Sequence, residues 1–315
     1  MTRTVKNPDE FGKVAVAMGG NAAEREISLS SGRAVLAALQ RKNVDAVGVD
    51  IGDSPFHALS GQSFDRVFNI VHGRGGEDGV LQGFLEAMGL PYTGSGVLAS
   101  AIAMNKLKTK LIWKAMGLPT PRWVVLRTDD DLPRCEQELG FPLIVKPAQE
   151  GSSIGMTKVN NRDELAAARQ TAAKHDREII AEAWISGREY TAGFLQDLRL
   201  PLIRLATPNN FYDFDAKYRS DSTRYHCPCG LDEKFEKELQ ELAAQACAAV
   251  AVTGWGRVDL FLDNQANPWL IEVNTVPGMT DHSLVPMAAN AFGIGFDELV
   301  WKILETSMDR DPIHA

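Results

Sequence analysis

GWGRVDLFLDNQANPWLIEVN, residues 254–274, contains two runs in which polar and apolar residues alternate with the two-residue period of a pleated strand, RVDLFLD (257–263) and PWLIEVN (268–274). The alternation puts Arg257, Asp259 and Phe261 on one face and Val258, Leu260 and Leu262 on the other, and the same rule aligns Glu272 with Asn274. Charged groups set into apolar strands cost several kcal/mol each unless they are compensated, so these residues need partners. Two carboxylates and an amide oxygen are hard oxygen donors, suited to Mg²⁺ that keeps some waters and shares its remaining positions with phosphate oxygens. An ion pair of Arg257 with Asp259 or Glu272 on a solvated sheet face satisfies the same pattern and stays open at this point.

Moving back along the chain, Lys146-Pro147 ends the apolar run LIVKP, and Glu150-Gly-Ser-Ser-Ile-Gly155 follows as a loop whose glycines let the backbone approach a ligand and whose serines donate hydrogen bonds. No GxxxxGK[ST] or GxGxxG occurs, so the P-loop and Rossmann dinucleotide fingerprints are absent. Lys106, Lys146 and Lys217 are the point charges a phosphate chain requires, while Glu182 and Glu189 flank an extended AEAWI segment whose backbone suits an adenine edge, with Glu189 toward a ribose hydroxyl. Residues 207–230 are polar, aromatic and without periodicity, which is long for a connector and typical of a lid. EIIAEAW and EYTAGFL, with the amphipathic run 162–173, read as a small mixed α+β unit.

From Val14 to Leu90 short apolar runs alternate with amphipathic stretches, which reads as βαβα and a parallel sheet. Ligands collect at strand-to-helix joints of such sheets, and two joints, GGNAAERE (19–26) and HGRGGEDG (72–79), are rich in glycine and charge. His72 opens the second joint and reads as near a substrate, whereas His282 reads as structural. PYTGSG (91–96) is a turn, followed by one helical stretch over 97–116 with a domain boundary near residue 105.

The 315 residues are 44% hydrophobic and 23% charged, which fits a globular protein of two or three domains. A net charge of −8 argues against nucleic acid as a partner. Four cysteines, none in a CxxC pair, fit a reducing cytoplasm, and neither a signal-peptide core at the start nor a run of about 18 apolar residues points to a membrane.

Together these motifs resemble the D-alanine:D-alanine ligases of the ATP-grasp superfamily, on GGNAAEREIS (19–28), HGRGGEDGVLQG (72–83), PYTGSG (91–96), VKPAQEGSSIGM (145–156), FYDFDAKY (211–218), GWGRVDLFL (254–262) and IEVNTVPGMTDHSLVP (271–286). The resemblance implies an ATP-grasp architecture of mixed α/β and α+β class. A doubly wound parallel-sheet unit (1–105) precedes a small central α+β unit with the Gly/Ser flap (106–192) and a C-terminal mixed-sheet unit (193–315). It implies that the carboxylate of one D-alanine attacks the γ-phosphate of ATP to form a D-alanyl phosphate, and that the amine of a second D-alanine displaces the phosphate to leave the dipeptide, a cell-wall precursor.

By motif position Asp259, Glu272 and Asn274 resemble ligands of two Mg²⁺ (or Mn²⁺) ions. Lys106, Lys146 and Lys217 resemble phosphate contacts, and Ser152, Ser153, Glu182, Ala183, Trp184, Ile185 and Glu189 belong to the nucleotide site. Glu24 resembles the acceptor of the first D-alanine's ammonium, with His72 near its carboxylate, and Ser152 and Tyr218 resemble the pair that closes on Glu24. Arg257 and the Gly278 N–H resemble the oxyanion donors, and Ser283 with the Leu284 N–H the anchor of the second carboxylate. Departures from the family pattern are Asn105, where Asp is common, Ala183, where Lys is common, and Val276. A homodimer in the cytoplasm, with ATP and D-alanine as its small-molecule partners, is the expectation that completes this picture. Its alternatives are a ligase taking D-lactate or another D-amino acid second, a non-catalytic nucleotide-binding regulator, and a metal-dependent phosphohydrolase.

Overall fold

The computed structural model describes residues 4–206, 223–280 and 283–310. Three sheets follow one another along the chain. The first contains β1 (Val14–Met18), β2 (Ala46–Asp50) and β3 (Arg66–Asn69), parallel in the order β2-β1-β3, with an isolated parallel bridge from Val67 to Tyr92 beyond β3. All five β1 residues are buried, as befits a central parallel strand covered on both faces. The helices of this unit are α1 (Arg25–Arg41), α2 (Pro55–Leu59) and α3 (Val80–Ala87), and the two glycine-rich joints lie at the carboxyl ends of β1 and β3 as expected.

The stretch expected as one helix over 97–116 is two, α4 (Val97–Met104) and α5 (Lys106–Ala115). Asn105 separates them in an extended conformation (φ −94°, ψ 99°), and its side chain caps α5 by accepting from the Lys108 N–H at 3.0 Å. Its amide also donates to Glu178 at 2.9 Å, and the Lys106 N–H donates to the Ala148 carbonyl at 2.8 Å, which fixes the start of α5 against the central sheet.

That sheet consists of β4 (Trp123–Val125), β5 (Leu143–Pro147), β6 (Thr157–Val159) and β7 (Ile179–Ala183), antiparallel in the order β4-β7-β5-β6. Strand alternation sorts its side chains. Leu143, Val145, Ile179 and Ala181 join the core formed with α6 (Leu132–Leu139) and α7 (Arg162–Ala172), while Ile144, Lys146, Ile180 and Glu182 occupy the opposite face.

The third sheet holds β8 (Gly187–Leu195), β9 (Leu198–Arg199), β10 (Ile203–Ala206), β11 (Arg224–His226), β12 (Trp255–Asp263) and β13 (Pro268–Asn274), in the order β11-β10-β8-β12-β13 with β9 on β8. Every described pair in it is antiparallel, where a mixed sheet is the expectation. Short turns such as the four residues between β12 and β13 reverse the chain directly, without the crossover that a parallel pair requires. EYTAGFL, expected in the central unit, lies in β8 and pairs with β12 along Trp255–Asp263, so the expected break between residues 192 and 193 falls inside this strand. Val258, Leu260, Leu262, Leu270 and Val273 pack beneath α8 (Glu233–Ala249) as the dry face. The chain ends in α9 (Leu284–Ala291), α10 (Phe296–Glu305) and a short 3₁₀ turn, which pack with α1 and the first sheet in one core. No described helix is long and apolar enough to cross a membrane.

Candidate active site

The polar face of β12 and β13 carries the expected residues in direct register: Arg257 lies opposite Asn274, and Asp259 opposite Glu272. A bulge between Asp259 and Leu260, where the partner of Leu260 is Leu270, inserts Ile271 as an extra residue on β13. The bulge lets Leu270 and Val273, three positions apart, both reach the dry core while Glu272 and Asn274 stay on the other face.

The Arg257–Asp259 ion pair does form, with Nε 3.0 Å from Oδ1, yet the two side chains are only 14% and 12% exposed, so the face is shielded rather than solvated. Asp259 also accepts from the Thr191 hydroxyl at 2.6 Å, from the neighbouring strand β8. Glu272 lies 3.2 Å from the Lys106 ammonium, which in turn donates to the Glu150 carbonyl at 2.6 Å. Glu272 and the base of the Gly/Ser loop are thereby joined through one lysine.

Two clefts meet at Lys106 and Glu272, which line both. The first is walled by Glu24, His72, Glu77, Ser152, Arg257, Asn274 and Gly278. Glu24, at the start of α1, is buried and accepts from the Ser152 hydroxyl at 2.5 Å. Two glycines permit that closeness: a Cβ on Gly73 would stand 2.5 Å, and one on Gly151 2.6 Å, from the Glu24 carboxylate oxygens. Ser152 and Ser153 both adopt left-handed backbone (φ 51° and 61°), an uncommon conformation for non-glycine residues that costs energy and recurs where a turn must present a side chain to a site. Burial and the neighbouring Glu77 raise the Glu24 pKa above its ordinary value, outweighing Ser152, His72 and Lys106, which favour the anion. The His72 Nδ1 stands 2.8 Å from the Val276 carbonyl; a carbonyl only accepts, so Nδ1 carries the proton. Glu77 lies 3.5 Å from the same nitrogen, and the Ser31 hydroxyl 3.4 Å from Nε2.

The second cleft is lined by Lys146, Ser153, Glu182, Ala183, Trp184, Ile185, Glu189 and Asp259. The Lys146 ammonium is 2.8 Å from Glu182. Since β7 ends at Ala183 and β8 starts at Gly187, residues 184–186 lie outside the strand ladders, and Trp184 and Ile185 among them line the cleft. Lys158 on β6 sits 4.1 Å from the centre of the Trp184 ring.

Ser283 and Leu284 line neither cleft. Ser283 begins α9 and accepts from the Thr280 N–H at 2.9 Å, and a Cβ on Gly278 would lie 2.9 Å from its oxygen, so it stands just behind the Gly278 rim. The Leu284 side chain is turned into the core. Lys217, Tyr218 and His282 lie outside the described residues.

Four site neighbours escaped the sequence reading: Ser31, Glu77, Thr191 and Lys110. Thr191 had a legible signal, since in EYTAGFL it alternates with Glu189. Lys110 stands one turn after Lys106 and on the same helix face.

A family profile described as "D-ala D-ala ligase C-terminus" matches residues 112–305, and one described as "D-ala D-ala ligase N-terminus" matches residues 55–95. A D-alanine–D-alanine ligase of Methylococcus capsulatus is 62% identical over 98% of this chain and 99% of its own length. One of Stutzerimonas stutzeri is 56% identical over 98% of both chains. Among solved structures, the Bacillus anthracis D-alanine–D-alanine ligase complexed with ATP superposes with a TM-score of 0.83 at 30% identity, covering 96% of this chain and 99% of that one. The VanG D-Ala:D-Ser ligase of Enterococcus faecalis also gives 0.83, at 29% identity over 94% and 99%. Sequence, fold and cleft geometry converge, and the chain belongs to the D-alanine–D-alanine ligase family.

Proposed function

We propose that this chain joins two D-alanines at the expense of ATP, passing through a D-alanyl phosphate. The observation that carries the reading is the meeting of the two clefts at Lys106 and Glu272. A lysine-lined cleft opens, at those two residues, onto a cleft with a buried carboxylate and an arginine. A phosphoryl group at the junction can be transferred between them.

In the first cleft Glu24 receives the ammonium of the first D-alanine, and His72 lies toward its carboxylate. An arriving ammonium supplies the countercharge that burial denies Glu24, which favours the cationic ligand over a neutral one. Ser152, held on Glu24, draws the Gly/Ser loop over the reacting atoms and keeps water from the acyl phosphate. Arg257 with the Gly278 N–H stabilises the oxyanion that forms when the second amine attacks, and Ser283 with the Leu284 N–H holds the second carboxylate. In the second cleft Lys106 and Lys146 meet the phosphates, Trp184 and Ile185 face adenine, and Glu189 meets the ribose; Lys217 and Tyr218 take the roles the resemblance gives them.

The donor set of Asp259, Glu272 and Asn274 fits Mg²⁺ or Mn²⁺. Two carboxylates and an amide oxygen on one shielded face are the hard donors that such an ion would take. When bound, two such ions neutralise the phosphate charge and hold the in-line geometry. The unit 1–105 contributes the first amino-acid site and the central unit the flap with Lys106 and Lys146, while the metal face belongs to the C-terminal unit, whose sheet takes in β8 from Gly187 onward rather than starting at residue 193. The homodimer and the cytoplasmic setting belong to the same proposal, the latter supported by four cysteines that form no disulfide.

The test is ADP release from Mg-ATP with no amino acid, L-alanine, D-alanine, or D-alanine plus D-lactate. Strict dependence on D-alanine, with the dipeptide as product, is expected; equal release in all four mixtures overturns the reading.

A further inference from the structure

Lys110 is the most thoroughly buried cation of the chain's described part that the reaction above leaves unused, at 0% side-chain exposure. Its ammonium lies 3.4 Å from Glu182 Oε1, the same oxygen that the Lys146 ammonium approaches at 2.8 Å. It donates to the Thr120 hydroxyl at 2.5 Å, stands 3.4 Å from the Pro121 carbonyl and lies 5.5 Å from the centre of the Trp123 ring. The Thr120 hydroxyl in turn donates to the Leu270 carbonyl at 2.9 Å, at the bulge of β13. Lys146 and Glu182 line the second cleft; Lys110 does not, and sits behind them.

The charge arithmetic of this cluster is unusual. Two ammoniums share one carboxylate, all three side chains at 2% exposure or less, so the group carries a surplus positive charge away from water. Burying an uncompensated charge costs several kcal/mol, and a protein keeps such a surplus where an anion will meet it. Were Lys110 neutral, Lys146 and Glu182 would form a closed pair with little net attraction for phosphate. With Lys110 behind, the carboxylate is held from the far side, and Lys146 faces the cleft with its charge largely unspent.

We propose that Lys110 is a positioning residue for the nucleotide's phosphate chain: it holds Glu182 and leaves Lys146 net positive toward the second cleft, without touching the ligand itself. The inference rests on the reading of that cleft as an ATP site and deepens it. The electrostatics agree. Burial would raise the Glu182 pKa, yet Lys110 and Lys146 together hold it below the ordinary value. Burial pushes the Lys110 ammonium down to about 8, against the pull of Glu182 and with a further push from Lys146.

The experiment compares Mg-ADP with adenosine as ligands of the full chain by calorimetry. In Lys110→Met and Lys110→Gln, Mg-ADP is expected to bind about tenfold more weakly, the scale of 1.4 kcal/mol, while adenosine stays within about twofold. Lys110→Gln keeps a polar group within reach of Thr120 and serves should Lys110→Met fail to fold. In a Glu182→Gln background the same loss is expected to shrink to about twofold or less, because no carboxylate remains to be shared. Equal weakening of both ligands marks a collapsed pocket and overturns the proposal, as does unchanged Mg-ADP binding, restored binding in Lys110→Gln alone, or full additivity with Glu182→Gln. A wild-type chain that binds Mg-ADP no better than adenosine would instead bring down the ATP-site reading itself.

Discussion

Ser152 donates its hydroxyl to Glu24 at 2.5 Å, joining the tip of the Gly/Ser loop to the start of α1 across 128 positions of sequence. The contact turns a carboxylate that burial disfavours into one end of a closure, while burial and the nearby Glu77 give the first prediction its sign.

Glu24→Gln is expected to abolish turnover while raising the melting temperature at neutral pH. The raised pKa of Glu24 means that the folded state holds its proton longer than the unfolded chain, whose value is near 4.5. Stability contributed by this group is complete below that value and falls as pH rises through the folded pKa. The stability advantage of Glu24→Gln should therefore grow with pH above 4.5 and close as the pH approaches it. Thermal melts of both proteins from acid to neutral pH check it; a variant less stable than wild type at pH 7 counts against the burial argument.

Gly151→Ala is expected to raise the D-alanine KM by about tenfold or more, with the ATP KM little changed. The added Cβ would stand 2.6 Å from the Glu24 carboxylate, so loop or carboxylate must shift. Steady-state kinetics in each substrate separate the two effects.

Arg257→Ala is expected to lower kcat by several hundredfold, about 3 kcal/mol, with smaller changes in either KM, as removal of an oxyanion donor does. Rapid-quench detection of ADP would show whether the first step survives. A variant that loses ADP formation as severely as dipeptide formation would place Arg257 in phosphoryl transfer, through its contact with Asp259.

Thr191→Val removes the hydroxyl that donates to Asp259 at 2.6 Å and leaves a similar volume. The expected loss is about 1–2 kcal/mol, read as a raised Mg²⁺ requirement rather than a lower rate at saturating metal. A Mg²⁺ titration of activity at fixed ATP distinguishes the two.

Much of this architecture was legible in residue pattern alone. The two-residue period of 257–263 placed Arg257 and Asp259 on one face and the aliphatics on the other, and the glycine-rich joints after β1 and β3 lie where ligands gather. What escaped the pattern has physical causes. Period-two reading puts Leu270 on the face of Glu272, and only the bulge at Ile271 returns it to the core. Asn105 lies in a run that propensity reads as continuous helix, and its break is secured by partners at Ala148 and Glu178, distant in sequence. β8 joins the third sheet because its nine residues match β12 along their full length, a pairing that local sequence does not record. Lys110 hid behind the general habit of lysine to sit in water, although its spacing from Lys106 placed both on one helix face.

The inserted Ile271 ties chemistry to folding in a way that restricts how this hairpin can change. A one-residue deletion there would restore regular pleating and swing either the acid and amide into the oily interior or Leu270 out onto the polar face that lines the clefts. Point replacements at 272 or 274 alter the polar face one side chain at a time, but a length change at 271 trades the two faces wholesale. Insertions and deletions should therefore be far scarcer here than in the four-residue turn only a few positions upstream.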